Sequence, residues 1–208
     1  QMCIRDRGFQ VERNLAGIPT AFSGTYGNDG PVIGFLGEFD ALPGLSQVEA
    51  ALEKIPAQES APGHGCGHNL LGVGSLAAAV AVKQYLQDNH LPGTVVFFGC
   101  PAEEGGSGKG FMARSGVFQQ VDIAFSWHPG EVNSVSTEGT MSNYQICYHF
   151  RGVSAHAAMS PEQGRSALDA LELMNIGVQF LREHVPTDTR IHYAITDTGG
   201  CLLYTSPS

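Results

Sequence analysis

The sequence feature that most constrains the fold is a continuous apolar run, TVVFFGC, at residues 94–100. Such a run is typical of a strand that is covered on both faces, as in a parallel sheet. Residues 70–87, before it, are rich in alanine and leucine and predict a helix. A short helix is predicted at residues 109–115, and a second apolar strand at residues 121–127. This alternation predicts an α/β sheet with parallel central strands.

Two further strands belong to the same predicted first domain, which spans residues 8–138. They lie at residues 20–26 and 32–36, on either side of a turn rich in glycine, asparagine and aspartate, which tolerate positive φ. A long connection over residues 41–67 follows, with a short helix expected at residues 47–54. Connections of this length inside a compact domain are usually functional or disordered.

A second, smaller domain is predicted over residues 139–200, where the apolar pattern changes. Apolar and polar residues alternate at residues 144–150 and 191–195, which predicts strands with one exposed face. Between them, Ser160 is followed by proline and then, three positions on, by glutamine. This pattern predicts the first turn of a helix that runs to about His184.

The two ends of the sequence do not resemble natural protein. Residues 1–7 (QMCIRDR) and 201–208 (CLLYTSPS) can be encoded by DNA strings that are reverse complements over most of their length. Those strings match a transposon-type sequencing adapter. We therefore expect both ends to be adapter-derived, and we leave them out of the fold prediction.

Charge and hydropathy exclude several classes of partner. The net charge of -9 argues against a nucleic-acid backbone or an anionic membrane. No apolar run reaches the roughly 18 residues that span a bilayer. The 5 cysteines are scattered and odd in number, which does not fit a disulfide framework and favours a reducing cytoplasm.

Two glycine clusters resemble nucleotide-binding loops but fail the required patterns. In the cluster at residues 105–110, a phosphate loop would need glycine in place of Glu103 and serine or threonine in place of Gly110. The cluster at residues 63–68 has no preceding strand, and His68 occupies the place of the last glycine. These glycines instead favour a close approach of backbone to a metal centre.

The strongest constellation combines a thiol, imidazoles and carboxylates in glycine-rich loops and at predicted strand ends. Its members are His64, Cys66, His68, Glu103, Glu104 and His128. Thiolate, imidazole and carboxylate are the usual protein ligands of zinc and similar ions. Because sites in such sheets lie at the carboxyl ends of the strands, the sequence predicts a metal site there.

The adjacent glutamates can have different roles. Neighbours on an extended segment project to opposite sides, so one can bind metal while the other faces the substrate and a metal-activated water. A carboxylate beside that water can take its proton and return it to a leaving amine. The residues alone leave open which glutamate has which role.

Five segments together resemble the metallo-amidohydrolases of the aminoacylase and hippurate-hydrolase family. The segments are FLGEFDALPGLSQ, APGHGCGHNLLG, GCPAEEGGSGKGFMARSGVF, SWHPG and RGVSAHAAMSPEQGRSALDALELMN. The resemblance implies a zinc-peptidase-like mixed α/β sheet with helices on both faces and a smaller α/β dimerisation (lid) domain. Residues 8–138 would be the N-terminal part of the catalytic domain, and residues 139–200 part of the lid.

The resemblance also implies roles for individual residues. The implied ligands, for two divalent ions (Mn²⁺ or Zn²⁺), are Cys66, His68, Glu104 and His128. Glu103 would be the general base, and Asp40 would orient a metal ligand. His156, on the smaller domain, would stabilise the oxyanion. In relatives this histidine often reaches the active site of the partner subunit.

The implied activity is hydrolysis of an amide bond in N-acyl or aroyl amino acids or dipeptide-like substrates, p-aminobenzoyl-glutamate among them. The alternative is a non-catalytic partner subunit, which would not need the base Glu103. A homodimer, or a heterodimer with a homologous subunit, is expected. Asn69 and Glu38 stand where relatives usually have aspartate. A further metal ligand is expected from a C-terminal part that this sequence lacks, so the fragment alone is expected to be inactive or to bind metal weakly.

Overall fold

The computed structural model describes residues 2–137 and 139–199, and the chain divides into two compact units between Val135 and Ser136. The helices of the first unit are α1 (Met2–Asp6), α2 (His68–Asp88), α3 (Glu103–Gly106) and α4 (Gly108–Arg114). Its strands are β1 (Gln10–Arg13), β2 (Phe22–Tyr26), β3 (Val32–Glu38), β4 (Thr94–Cys100) and β5 (Ile123–Phe125). A kinked 3-10 turn spans Leu15–Gly17.

The five strands form one mixed sheet in the order β1-β2-β4-β3-β5. β3 runs parallel to β4 and β5, whereas β2 is antiparallel to β1 and β4. The α/β sheet with parallel central strands is therefore confirmed. Glu38 pairs in register with Cys100, so β3 and β4 end side by side, and the loops that follow them start from the same edge of the sheet.

The central strand β4 is buried on both faces, as its apolar run predicts. Val95 and Phe97 point into one cluster, which α2 covers through Ala79. Val96 and Phe98 point into the other cluster, where they meet Met112 of α4. Helices therefore cover both faces of the sheet, and they fix the position of the strand ends that carry polar residues.

Helix α2 begins two residues before the predicted start, and this difference matters for the site. Gly67 precedes the helix with φ 84°, a left-handed conformation that favours glycine. A Cβ at this position would lie 2.9 Å from Cγ of Pro129. Gly67 therefore turns the chain so that His68 stands in the first turn of α2.

The predicted helix at residues 47–54 is wrong, since these residues form a turn, a bend and irregular backbone. The side chain of Gln47 accepts a hydrogen bond from the Ile55 N–H (3.3 Å) and donates to the Glu53 carbonyl (2.7 Å). Such side-chain bonds to nearby backbone compete with helical hydrogen bonds. The predicted strand at residues 121–127 is shorter in the structure, where only Ile123–Phe125 pair with β3.

The second unit contains one α-helix in the described part of the chain, α5 (Ala167–Leu181), with 3-10 turns at Pro161–Gln163 and Arg182–His184. The predicted single helix from Ser160 is therefore interrupted. Gly164 takes an extended conformation and ends the first turn, and Ser166 caps α5 instead. Its Oγ accepts a hydrogen bond from the Asp169 N–H at 3.0 Å.

The strands predicted at residues 144–150 and 191–195 do not form in the described residues of this unit. Tyr144 and Ile146 are exposed, at 86% and 60% of their surface. An alternating segment becomes a strand only when a neighbouring strand satisfies its backbone, and the described pairing here is a single bridge between Val153 and Arg165. The assignment of residues 139–200 to a lid stays a prediction.

The adapter origin of residues 1–7 also stays a prediction, but part of that segment is packed. Ile4 of α1 is buried beside Phe9 in the cluster under α2. Residues 201–208, the other predicted adapter end, lie outside the described residues. Among the described residues, no helix is both long enough and apolar enough to cross a membrane. Each of the described cysteines, Cys3, Cys66, Cys100 and Cys147, is a free thiol.

Candidate metal centre

Several chain segments of the first unit bring polar side chains to the carboxyl ends of β3 and β4. Glu38 ends β3, and Asp40 follows it. Glu103 and Glu104 begin α3, just beyond β4. His68 opens α2. Cys66 precedes α2 and His128 follows β5, so six of the seven sequence-predicted catalytic and metal residues lie in this unit.

His68 is almost completely buried, and Asp40 fixes its orientation. Its Nδ1 lies 3.2 Å from Asp40 Oδ1, and the other oxygen, Oδ2, accepts a hydrogen bond from the Glu104 N–H at 3.0 Å. An ionised carboxylate can only accept, so Nδ1 carries the proton and donates it. In the neutral ring this leaves Nε2 of His68 unprotonated, the form in which a histidine nitrogen binds a metal ion.

Asp40 is held in its ionised form. Partial burial acts to raise the pKa of Asp40, but it is outweighed by the backbone N–H groups of Glu104, Asp40 itself and Glu103 and by the His68 ring. The net effect lowers the pKa of Asp40 below its usual value. The carboxylate therefore remains an acceptor for His68 at neutral pH.

Nε2 of His68 faces three carboxylates. It lies 3.2 Å from Glu38 Oε2, 3.8 Å from Glu103 Oε2 and 3.8 Å from Glu104 Oε1. Despite these distances, Nε2 of His68 and Oε1 of Glu104 are both buried without a hydrogen-bond partner. Buried polar atoms are rarely left unpaired, and a cation between these two atoms would satisfy both.

Cys66 and His128 form a second group of candidate ligands together with His68. Sγ of Cys66 is 3.2 Å from Nε2 of His128, and Nδ1 of His128 donates to the Pro129 carbonyl at 3.0 Å. The rings of His68 and His128 meet edge-on, with centroids 6.0 Å apart. One ligand atom from each of Cys66, His68 and His128 lies within 4.8 Å of the others, and the same holds for Glu38, His68 and Glu103.

The thiol of Cys66 is surrounded by negative charge. Partial burial and the carboxylates of Glu104, Glu103 and Glu38 raise the pKa of Cys66 above its usual value. Without a cation the sulfur is therefore protonated at neutral pH, and it can donate to His128. A divalent ion would reverse this preference, since the thiolate is the form that binds metal.

The two adjacent glutamates differ in exposure. The side chain of Glu104 is 20% exposed and that of Glu103 is 43% exposed. Ala102 before them has φ 57°, an uncommon conformation for a residue with a Cβ. Glu103 lines a cavity of about 210 Å³ with Lys109. Both glutamates lie 3.8 Å from Nε2 of His68, and it is Glu103 that groups with Glu38 and His68, so Glu104 as ligand and Glu103 as base stay predictions.

His156 lies in the second unit and is described there by itself. Its Nδ1 accepts from the N–H groups of Ala158 and Met159, at 3.3 and 3.2 Å. The ring proton is therefore on Nε2, which can donate. His64 lines a mainly apolar cavity of about 470 Å³ that also reaches His68 and Asn69.

Two residues of the cluster were missed from the sequence. Glu38 is not among the residues to which the resemblance gives a role, yet it contacts His68, and Lys109 contacts the Glu38 carboxylate. The position of Glu38 at the end of a predicted strand was a usable signal. Lys109 stands in the glycine cluster that fails the phosphate-loop pattern, and its pairing with Glu38, far away in sequence, could not be read from that cluster.

Comparisons with known proteins identify relatives of this chain. Residues 34–197 match the profile of peptidase family M20/M25/M40. The chain is 50% identical over 197 residues to the B subunit of p-aminobenzoyl-glutamate hydrolase from Escherichia coli (strain K12), a match that covers 95% of this chain and 41% of that relative. This chain therefore spans less than half the length of that curated relative.

Two solved structures share the fold. A dinuclear metal-binding peptidase of the M20 family from Bacillus subtilis has a TM-score of 0.50 and 27% identity, covering 62% of this chain and 36% of that chain. An aminobenzoyl-glutamate utilization protein from Klebsiella pneumoniae has a TM-score of 0.55 over 98% of this chain and 56% of its own. At 18% identity, the latter shows the fold alone.

Proposed function

This chain belongs to peptidase family M20/M25/M40, and on that premise we propose that the complete protein uses two divalent metal ions to hydrolyse the amide bond of N-acyl or aroyl amino acids. The observation that carries the proposal is the pair of buried, unpartnered atoms, His68 Nε2 and Glu104 Oε1. The name of the Escherichia coli relative makes p-aminobenzoyl-glutamate the first substrate to test.

The ligand set proposed for the ions is Cys66, His68, Glu104 and His128. The thiol, imidazole and carboxylate donors fit zinc, and the carboxylates also suit manganese. The Bacillus subtilis relative, described as a dinuclear metal-binding peptidase, supports a count of two ions. When bound, such ions supply Lewis acidity toward the substrate carbonyl and lower the pKa of water.

The chain's own side chains then have distinct tasks. Glu103 takes a proton from the attacking water and delivers it to the leaving amine, a step for which its partial exposure suits it. Asp40 keeps the proton of His68 on Nδ1. His156, with its proton on Nε2, donates a hydrogen bond to the developing oxyanion in the complete protein.

The test of this function uses the complete gene product. The protein is loaded with Mn²⁺ or Zn²⁺ and screened against acyl amino acids, with p-aminobenzoyl-glutamate included, by release of the free amine. Replacing the base, Glu103→Gln, should lower kcat by about 10² to 10⁴-fold while the bound metal per protomer stays unchanged. Glu12→Gln, on the exposed edge strand β1, is the matched control and should keep its turnover.

A non-catalytic partner subunit is the competing function, because the Escherichia coli relative is itself one of the subunits of a hydrolase. If the complete protein turns over substrate equally well with Glu103→Gln, the assignment of Glu103 as the general base fails. If the complete protein stabilises a homologous subunit but shows no turnover of its own, the non-catalytic partner subunit is favoured instead. Mass measurement of the purified protein in solution, alone and with a homologous subunit, distinguishes a homodimer from a heterodimer. The cytoplasmic location stays a prediction.

A further inference from the structure

The largely buried carboxylate of Glu38 forms an ion pair with Lys109 next to His68. The side chain of Glu38 is 10% exposed, and its two oxygens have different neighbours. Oε1 contacts the ammonium of Lys109, while Oε2 lies 3.2 Å from Nε2 of His68. Burying a carboxylate without a counter-charge costs several kcal/mol, and the ammonium of Lys109 offsets this cost for Glu38.

The glycine cluster at residues 105–110 explains how Lys109 reaches this position. Helix α4 starts at Gly108, tight against the end of β4. A Cβ on Gly108 would collide with the carbonyl oxygen of Pro101. Glycine therefore lets α4 begin at the edge of the sheet, so that the next residue, Lys109, reaches across to the end of β3. The cluster thus delivers a lysine to the carboxylates and does not bind a phosphate.

The acidic groups around His68 carry negative charge that bound cations would neutralise. The acidic groups of the cluster are the carboxylates of Glu38, Asp40, Glu103 and Glu104 and the thiol of Cys66. With the thiol ionised, these five groups carry five negative charges. Two divalent ions would supply four positive charges, and Lys109 supplies the fifth. Among the described residues, Lys109 is the one lysine or arginine paired with a carboxylate of this cluster.

We propose that Lys109 is a positioning residue that holds Glu38 with Oε2 directed at His68 Nε2 and completes the charge balance of the metal centre. The metal part of this inference rests on the proposed function. Lys109 occupies one oxygen of Glu38, so Glu38 can offer at most the other oxygen to an ion. Removing the ammonium frees both oxygens and leaves one uncompensated negative charge beside the ions.

The first arm of the test concerns the pair alone, in the complete protein stripped of metal. Lys109→Met leaves Glu38 buried without its counter-charge, so Tm should fall by roughly 3 °C or more. In the background of Glu38→Gln the same change should have a smaller effect on Tm, since the carboxylate that pairs with Lys109 is gone. Lys109→Arg, which keeps the charge, should stay near the wild-type Tm.

The second arm measures the affinity for Mn²⁺ and for Zn²⁺ by competition with a chelating dye. Lys109→Met should bind each ion more tightly, by about tenfold or more, because a positive charge a few Å away has been removed. Glu38→Gln should weaken binding, and adding Lys109→Met to it should then change affinity less. Lys54→Met removes an exposed lysine and is the matched control, with a change below about twofold at physiological salt.

The outcomes separate this inference from the proposed function. If Lys109→Met has the same Tm and the same metal affinity as Lys109→Arg, the inference is wrong. It is also wrong if Lys109→Met changes Tm and metal affinity as much in the Glu38→Gln background as in the wild-type protein. If the wild-type protein binds metal and Lys109→Met weakens that binding, the charge-balance role is wrong. If the wild-type protein binds no metal while the Tm cycle shows coupling, the pair stands and the metal proposal fails.

Discussion

His68 is the residue on which the candidate centre depends. It is buried to 1% exposure, its Nδ1 is bound to Asp40, and its Nε2 faces Glu38, Glu103 and Glu104. A buried imidazole with one nitrogen fixed by a carboxylate and the other aimed at acidic groups is arranged as a metal ligand. The histidine also connects the two groups of candidate ligands, since it belongs to both.

The protonation of Cys66 predicts how metal affinity depends on pH. Because its neighbours raise the pKa of Cys66, the thiol keeps its proton near neutral pH, and metal must displace that proton. Affinity for Zn²⁺ should therefore rise as pH increases, approaching about tenfold per pH unit for this one proton below the thiol pKa. Dye competition between about pH 6 and pH 8 measures the slope.

The control for this pH dependence is Cys66→Ser, which removes the titrating thiol. This variant should bind Zn²⁺ more weakly and with a shallower slope. A wild-type affinity that does not change with pH, or a slope that Cys66→Ser leaves intact, would show that Cys66 is not a ligand.

At the residue level, the sequence predicted chemical types better than contacts. Residue chemistry pointed to a set that included Cys66, His68 and His128, because few residue types bind metal strongly, and the family resemblance reduced that set to the proposed ligands. The pairing of Glu38 with Lys109 depends on how β3 and α4 meet, and no local pattern records it. The tautomer of His68 likewise needed the position of Asp40.

Among the elements, α2 and the turn before it determine where two of the proposed ligands lie. Gly67 separates Cys66 from His68 and has a left-handed conformation against Pro129. Gly67→Ala should destabilise the metal-free protein by about 1–2 kcal/mol through backbone strain alone. The contact with Pro129 should add to that loss and displace the start of α2, so metal affinity should fall as well.

Gly17→Ala separates the two causes. Gly17 also has a positive φ, 73°, but a Cβ there would meet nothing within 4 Å. It should therefore cost stability through φ strain while metal affinity stays at the wild-type level. Urea denaturation and dye competition on both variants give the comparison. Equal metal affinities for Gly67→Ala and Gly17→Ala would mean that Gly67 does not position the ligands.

Helices and strands were predictable where the apolar pattern of a segment indicates by itself how the segment is buried. β4 was found at residues 94–100 because an apolar run of that length suits a strand buried on both faces. The strands expected at residues 144–150 and 191–195 are absent from these described residues. Alternation of apolar and polar residues indicates which side of a strand would be buried, but it does not identify the neighbouring strand that must pair with it. The helix expected from Ser160 begins only at Ala167, because Gly164 allows an extended break and Ser166 then caps α5.

At the scale of the whole molecule, the chain is two units, and the proposed site residues are divided between them. Cys66, His68, Glu104 and His128 belong to the first unit, whereas His156 belongs to the second. The chain spans 41% of the length of its Escherichia coli relative, so turnover, substrate and partner are properties to be measured on the complete protein. The mixed sheet was predictable as a class from the strand and helix alternation, whereas the order β1-β2-β4-β3-β5 was not, because β1 carries no strong strand pattern.

The most direct test is a crystal structure of the complete protein grown with Zn²⁺, with anomalous scattering recorded at the zinc absorption edge. We expect zinc peaks at the carboxyl ends of β3 and β4, with a zinc ion about 2.3 Å from Sγ of Cys66 and an ion about 2.1 Å from Nε2 of His68. Glu104 and His128 should complete the shared centre. Zinc bound elsewhere, or a zinc site that leaves Cys66 and His68 without metal, would contradict the proposed centre.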